Sequence, residues 1–567
     1  MLIAPSACTS SPATLDGPAP TEADESADAP VLARARALRA SGDVQGALRL
    51  LEDALGEAER PALLQLELGE THRALPDLPA AEAAYAVAVA LEPTLGLAWL
   101  RVGEIQARYE RPEDALASLR LARENLAEPL RAQALLLLAD TLARQFQLAE
   151  AREVYLELLD AQPDHALATY GLAAIELRTG HENTAVERFE AAFGLEPALR
   201  QQTNQAVAAA YRQCGRWREA LAMFEAEARS RPPSPGLRWD TCQTRLALGE
   251  WAAGWDDYAS RFAARAVPYR PLAFRTWDGQ PMPEGALVVL AEQGLGDEIM
   301  FASCLPDTLT RVGHLVVECE PRLAALYRRS FPHAVVLPTR REQDASWLAQ
   351  LPREPDRQIF AGDLPRLFRR QRSDFPAHQG YLRADPERTT HWRTKLRAEL
   401  GDGLHVGISW RGGTERTLQQ RRTVPPPAWV PILRTPGCRF VNLQYGPIDA
   451  ERHALETAAG VPVAHYPQAI DDYDETAALV CALDLVVSVC TAIIHLGGAL
   501  GRPVWILTPK VPEWRYTADD TSLPWYPSTR LFRQACAGDW QTVCHEMSVA
   551  LQAMTQSVTP GPPIDSK

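Results

Sequence analysis

Three short stretches of this sequence gather residue types that do chemistry. GLGD (Gly294 to Asp297) ends an apolar run with two glycines and a carboxylate. RGGTERTLQQRR crowds Arg411, Arg416, Arg421 and Arg422 around Gly412 and Gly413. CTAIIH sets Cys490, Thr491 and Ala492 at the start of a helix-like run, with His495 about one turn further. A carboxylate at a strand end can take a proton from a hydroxyl. Arginine forks match phosphate, and a helix N-terminus offers unpaired N–H groups to an anion. The residue types thus offer a base for a hydroxyl and two places for a phosphate.

Each stretch has a plainer reading. In GLGD, a dinucleotide fingerprint needs a third glycine where Ile299 stands, and a Walker loop needs Gly-Lys-Ser/Thr. Asp297 would also repel a phosphate. It is either a general base or a cap for a helix starting near Glu298. The arginines suit a phosphate or a solvated loop. His495 shares a helix face with Thr491, where it would bond the same anion or fill a structural place. Trp514, Trp525 and Tyr526 offer an aromatic rim (for sugar, on the resemblance given below), or ordinary packing.

Positioning these residues requires strands. ALVVLAE, HLVVECE and AVVLP occur between Ala286 and Pro338; LHVGISW, CRFVNLQ, LDLVVSV and PVWILTP occur between Leu404 and Pro509. Near-continuous Val/Ile/Leu runs are strands buried on both faces, as in parallel sheets with crossover helices. They predict two Rossmann-like halves, 269–395 and 400–555, with a cleft between them and ligands beyond the strands' carboxyl ends. Arg340 to Arg393 yields no readable topology.

Upstream lies a repeat. Gly69, Gly103, Ala139, Ala173 and Ala208 recur at steps of 34 to 36 residues. Twelve residues after each comes Ala81, Ala115, Ala151, Ala185 or Ala220, and four further on Tyr85, Leu119, Tyr155, Phe189 or Phe224. Pro93, Pro129, Pro163, Pro197 and Pro232 close the units. Small residues let two helices cross closely and the bulky one fills the gap. This pattern is similar to the tetratricopeptide repeat, over 31–265, with a degenerate first copy and a diverged last one. Stacked helix pairs generate a groove that holds a peptide or protein.

Composition narrows the classes. At 567 residues, several domains are expected. The net charge is −14 with three lysines, which gives no footprint for nucleic acid or an anionic membrane. Ten scattered cysteines without a C-x-x-C or a metal-spaced cluster suggest reduced thiols, a cytoplasmic setting and no metal. No run is long enough to span a bilayer. The segments 1–30 and 556–567 are expected to be disordered.

GLGDEIMFASCLP, VGISWRGG…RRTVP, LDLVVSVCTAIIHLGGALGRPVW and VPEWRY…SLPWYPSTRLFRQ together resemble GT-B glycosyltransferases related to bacterial heptosyltransferases, in the branch with tetratricopeptide repeats fused in front. The resemblance implies an α-solenoid followed by two Rossmann-like domains, with a nucleotide-sugar donor, CMP- or NDP-linked, held mainly by the second and no metal. It implies Asp297 as general base, Arg422 (with Arg411) on the donor phosphate, and Thr491 and His495 on the same group, with Cys490 where the family has aspartate. A neutral thiol there would not repel an acidic sugar. The branch is similar to flagellin glycosyltransferases with nonulosonic acid donors, so the expected acceptor is Ser/Thr of a protein, flagellin, gripped by the repeats. A lipopolysaccharide or other glycan acceptor, or a scaffold with a decayed transferase half, are the alternatives.

Overall fold

The computed structural model describes residues 27–339, 346–351, 353–412 and 419–557. The chain forms two compact units, Met1–Cys214 and Gly215–Lys567. The stretch expected to be disordered at the start lies outside the described residues up to 26, and Ala29 already opens a helix. At the other end 558–567 lie outside them, while Gln556 and Ser557 finish the helix Trp540–Ser557.

The first unit is helical throughout its described length. Five antiparallel pairs run from Ala29–Ala40 to Glu182–Leu195, and Pro197–Gln213 follows. The small and bulky positions meet as their spacing requires. A Cβ on Gly69 would stand 2.4 Å from the Tyr85 ring, and one on Gly103 2.7 Å from Leu119. Ala81, Ala115, Ala151 and Ala185 are all fully buried. Tyr85 donates to Glu70 (2.8 Å), which also takes Arg101 Nε (2.8 Å) from the next pair, so polar bonds stitch successive repeats. Pro197 follows the end of Glu182–Leu195 and also occupies the first turn of Pro197–Gln213, where its missing N–H costs nothing.

A further periodicity is conformational. The residue two places after the first helix of a pair adopts a left-handed backbone at Gly42 (φ 87°), Glu110 (56°), Phe146 (61°) and Gly180 (86°). Such a residue lets the chain turn back with orphan carbonyls satisfied.

The second unit begins at Gly215, within the stretch read as repeats. Its opening helices, Trp217–Ser230, Pro235–Ala247, Trp251–Asp257 and Ser260–Ala263, carry repeat-like sequence yet share a core with the sheets. Trp251, Trp255 and Tyr258 at i, i+4 and i+7 form one apolar face. Trp255 meets the rings of Trp514 and Trp525 at 5.6 and 6.1 Å. That shared aromatic core joins the last repeat-like helices to the sheets.

Two wholly parallel sheets follow. The first has the order β1-β5-β2-β3-β4, with β1 Arg275–Thr276, β2 Met282–Leu290, β3 Val312–Cys319, β4 Ala334–Pro338 and β5 Arg357–Phe360. The second has the order β11-β10-β9-β6-β7-β8, with β6 Leu404–Ser409, β7 Cys438–Asn442, β8 Val463–Ala464, β9 Leu485–Val489, β10 Val504–Thr508 and β11 Thr529–Arg533. β6 and β9 are buried at every residue, as continuous apolar runs demand. β5 falls in the stretch without a readable topology and pairs with β2 through Leu287↔Arg357 to Leu290↔Phe360. Between the halves the helices Leu295–Phe301 and Ala492–Ala499 pack on one another. Where a cleft was expected to open, these two helices touch.

Candidate functional site

The loop leaving β2 is held from beneath. Arg261, wholly buried, gives Nε and Nη2 to the two oxygens of Glu292 (2.7 Å each) and Nη1 to Asp363 (2.7 Å). Glu292 also accepts the Gly362 N–H (2.7 Å), and Gln293 donates to the Tyr258 hydroxyl (3.0 Å). A bidentate arginine–carboxylate pair fixes geometry as well as charge. The loop above it is therefore set by the last repeat-like helix and by the segment after β5.

Asp297 is the third residue of the helix Leu295–Phe301, which starts three residues earlier than expected. One carboxylate oxygen accepts the Gly294 N–H (3.1 Å), so it does cap the helix. The other accepts Arg515 Nη2 at 2.5 Å. Gly296 brings the helix against its neighbour: a Cβ there would stand 2.9 Å from His495 Cδ2 and 3.4 Å from Ala492 Cα.

After β6, Gln444 Oε1 takes three donors, Ser409 Oγ and the Trp410 and Arg411 N–H groups, at 3.0 to 3.1 Å. Gly412 admits a close approach, since a Cβ would stand 2.7 Å from Cys490 O and 2.7 Å from Thr491 Cγ2. Gly413 and Arg416 lie outside the described residues. Arg411, expected on the donor phosphate, is held by protein groups here. Its Nε bonds Glu451 (2.8 Å) and its Nη2 the Tyr445 and Pro447 carbonyls (3.3 and 3.2 Å), so its guanidinium ties β6 to the segment after β7. Arg422 instead reaches Glu513 (2.9 Å).

After β9, Cys490 is buried, and Thr491 is the N-cap of Ala492–Ala499, its hydroxyl 3.0 Å from that of Ser488. Burial pushes the Cys490 thiol up to about 11, against the pull of Arg422, the bond to Tyr516 and the pull of Arg533 and Arg515. It is a neutral thiol among cations. His495 is buried on the same helix, its Nδ1 3.0 Å from the Tyr526 hydroxyl. Burial first, and Arg515 second, hold the imidazole down to about 3, so it is neutral at pH 7.

These contacts join the three loops. Asp297, Arg515, Glu513 and Arg422 form a chain of alternating charge. Arg515 Nη1 pairs with one oxygen of Glu513, and Arg422 holds the other. Glu513 and Arg515 were not picked out from the sequence. They flank Trp514 in the run EWR, where an acid and a base around a buried aromatic are the only signal. Of the two readings of the aromatic residues, burial favours packing over a rim. Trp514, Trp525 and Tyr526 are buried (5%, 2% and 0% exposed), packed on Trp255, Phe301 and Phe375 or, for Tyr526, on His495. Among the described residues no cluster of His, Cys, Asp and Glu could hold a metal ion, and no helix is long and apolar enough to cross a membrane.

The tetratricopeptide repeat family matches residues 32–95, 103–166 and 136–196. Protein FlbA of Caulobacter vibrioides is 32% identical over 529 residues, spanning 90% of this chain and 87% of that one. Solved structures similar to it include MamA (21% identical, covering 29% of this chain and 95% of that one, TM-score 0.27) and a tetratricopeptide repeat protein from Parabacteroides merdae (17%, covering 42% and 93%, TM-score 0.33).

Proposed function

The chain belongs to the family of the Caulobacter vibrioides Protein FlbA, and from that premise we propose that it is a glycosyltransferase of the GT-B type acting on a protein. The observation that carries this reading is the charge chain Asp297–Arg515–Glu513–Arg422, which gathers residues from the ends of both parallel sheets beside His495. The donor is a nucleotide sugar. Its phosphate lies toward Arg422, Thr491 and the N–H groups opening Ala492–Ala499, with neutral His495 supplying a hydrogen bond and no charge.

In the reaction, an acceptor Ser or Thr hydroxyl oxygen attacks the anomeric carbon and the bond from that carbon to the phosphate oxygen breaks. The hydroxyl proton passes to Asp297 and the negative charge to the departing phosphate, where cationic and N–H groups stabilise it. Gly412 and Gly296 let the three loops approach closely enough to serve one donor. The neutral Cys490 favours a sugar that carries its own carboxylate, a nonulosonic acid, over one that needs an acidic contact. The repeats hold the acceptor protein, for which flagellin is the candidate.

Calorimetric titration with CMP, UDP, GDP and ADP tests this. Selective binding of one nucleotide is expected, weakened ten- to a hundredfold in Arg422→Ala, as loss of a charge-assisted contact of roughly 1.5–3 kcal/mol implies, and weakened also in His495→Ala. CMP selectivity would support the acidic sugar. Failure of a folded sample to bind any of the four would sink the reading in favour of a scaffold.

A further inference from the structure

Glu513 holds two guanidinium groups at once, one on each oxygen of its carboxylate: Arg422 Nη1 at 2.9 Å and Arg515 Nη1 on the other side. Both arginines are largely buried, 11% and 14% exposed, while the glutamate is 35% exposed on the turn that opens Trp514–Tyr516. The cations are thus fixed and their counter-anion sits on the solvent side. Among the described residues, two nitrogens near this cluster are buried without a hydrogen-bond partner, Arg515 Nε and Arg533 Nη1. Buried, unsatisfied guanidinium donors are costly, which marks a place where an acceptor belongs.

We propose that Arg422 and Arg515 form a clamp for a phosphate group, and that the Glu513 carboxylate is its resident stand-in, displaced when the ligand arrives. The geometry of a carboxylate bridging two arginines is that of a phosphate bridging them, since both present two oxygens to paired forks. Arg515 gives its other arm to Asp297 at 2.5 Å. The clamp is therefore wired to the carboxylate read above as the base. A ligand phosphate that replaces Glu513 sits one guanidinium away from Asp297, which sets the leaving group and the base in a fixed relation. The inference rests on the donor reading in taking that phosphate to be the nucleotide's, but the anion clamp itself stands on the contacts alone.

Inorganic pyrophosphate is the probe, titrated calorimetrically into the full chain at constant ionic strength, with each variant first checked by circular dichroism. Glu513→Gln removes the resident anion and keeps its shape. If the open clamp is populated about one part in ten, pyrophosphate binds about tenfold tighter to this variant. Adding Arg515→Gln to it abolishes the gain. A folded Glu513→Gln protein that binds no tighter than the unaltered chain overturns the proposal, as does a gain that survives loss of Arg515. Should Glu513→Gln fail to fold, Arg515→Lys answers instead. A lysine cannot span both partners, so pyrophosphate binding falls about tenfold, and unchanged binding overturns the clamp. Nucleotide titrations run alongside separate the two readings. Nucleotide binding with no effect of Glu513→Gln leaves a donor site without this clamp. A pyrophosphate gain with no nucleotide binding leaves an anion clamp whose ligand is not a nucleotide.

Discussion

Gly296 and His495 touch across the two halves of the second unit: a Cβ added to the glycine would stand 2.9 Å from the imidazole Cδ2. The ring cannot swing aside freely, because it is buried and bonded to Tyr526. Gly296→Ala is therefore expected to lose about 1–3 kcal/mol, the usual cost of overpacking, and to weaken nucleotide binding with it. Gly294→Ala, whose Cβ would meet only Asp297 Oδ2 at 3.2 Å, is expected to cost well under that. Denaturant midpoints of the two variants decide it; equal losses would show that the contact does not limit the packing.

His495 should make stability fall with acid. Folded, it takes its proton only near pH 3, whereas unfolded it does so near 6.5, so the unfolded state binds protons first as pH drops. The contribution is complete above pH 6.5 and lost below it, about 2 kcal/mol between pH 7 and 5. His495→Gln should remove that part of the slope. Urea midpoints at the two pH values, compared between the proteins, measure it.

The Arg261–Glu292 pair is buried and bidentate, so Arg261→Met leaves a carboxylate without its charge partner and should cost about 3–5 kcal/mol. Arg366, more than half exposed and 3.6 Å from Asp256, is the contrast. Arg366→Ala should cost under about 1 kcal/mol. Comparable losses in equilibrium unfolding would mean that burial is not what gives the first pair its weight.

In the first unit, two substitutions at glycine-related positions should go opposite ways. Glu110 is exposed with φ 56°, so Glu110→Gly should stabilise by up to about 1 kcal/mol. Gly69→Ala gains helix propensity of about 1 kcal/mol, yet drives a Cβ to 2.4 Å from the Tyr85 ring. The clash should win and the variant should melt lower. Thermal melts with the same sign for both would contradict this account of the repeat.

Cys490→Asp puts a carboxylate among Arg422, Arg515 and Arg533, where it competes with any anionic ligand for those cations. Affinity for an acidic donor should fall severalfold. An unchanged dissociation constant would remove the reason given for the thiol.

What could be read in advance follows from what each feature depends on. The repeat was legible because its small and bulky positions recur at fixed spacing, and close helix crossing needs those sizes. The strands of the second sheet were legible as apolar runs such as LHVGIS, buried on both faces. β5 was not, because RQIF is four residues long between prolines and charges, and only pairing with β1 and β2 makes it a strand. Asp297 and Arg422 stand in one charge chain, but the links between them, Arg515 and Glu513, were not picked out. The bond from Arg515 to Asp297 spans 218 positions, which no local pattern reports. Trp514, Trp525 and Tyr526 stayed open between a rim and packing because an aromatic ring serves a sugar face and a core equally well, and residue type alone does not reveal exposure.

Trp251, Trp255, Tyr258 and Arg261 have one more consequence, for how such a chain can be cut and recombined. Their side chains complete the core beneath the first sheet and grip the loop that carries Asp297. A gene fragment starting at 269, where the strands begin, would encode sheets missing part of their interior, and its product should be insoluble. Repeats upstream of Gly215 lie outside this shared core; downstream, a change of repeat-like helix is also a change in the core of the sheets. The last helices are thus inherited with the sheets, and variation among the repeats falls to the helices before them.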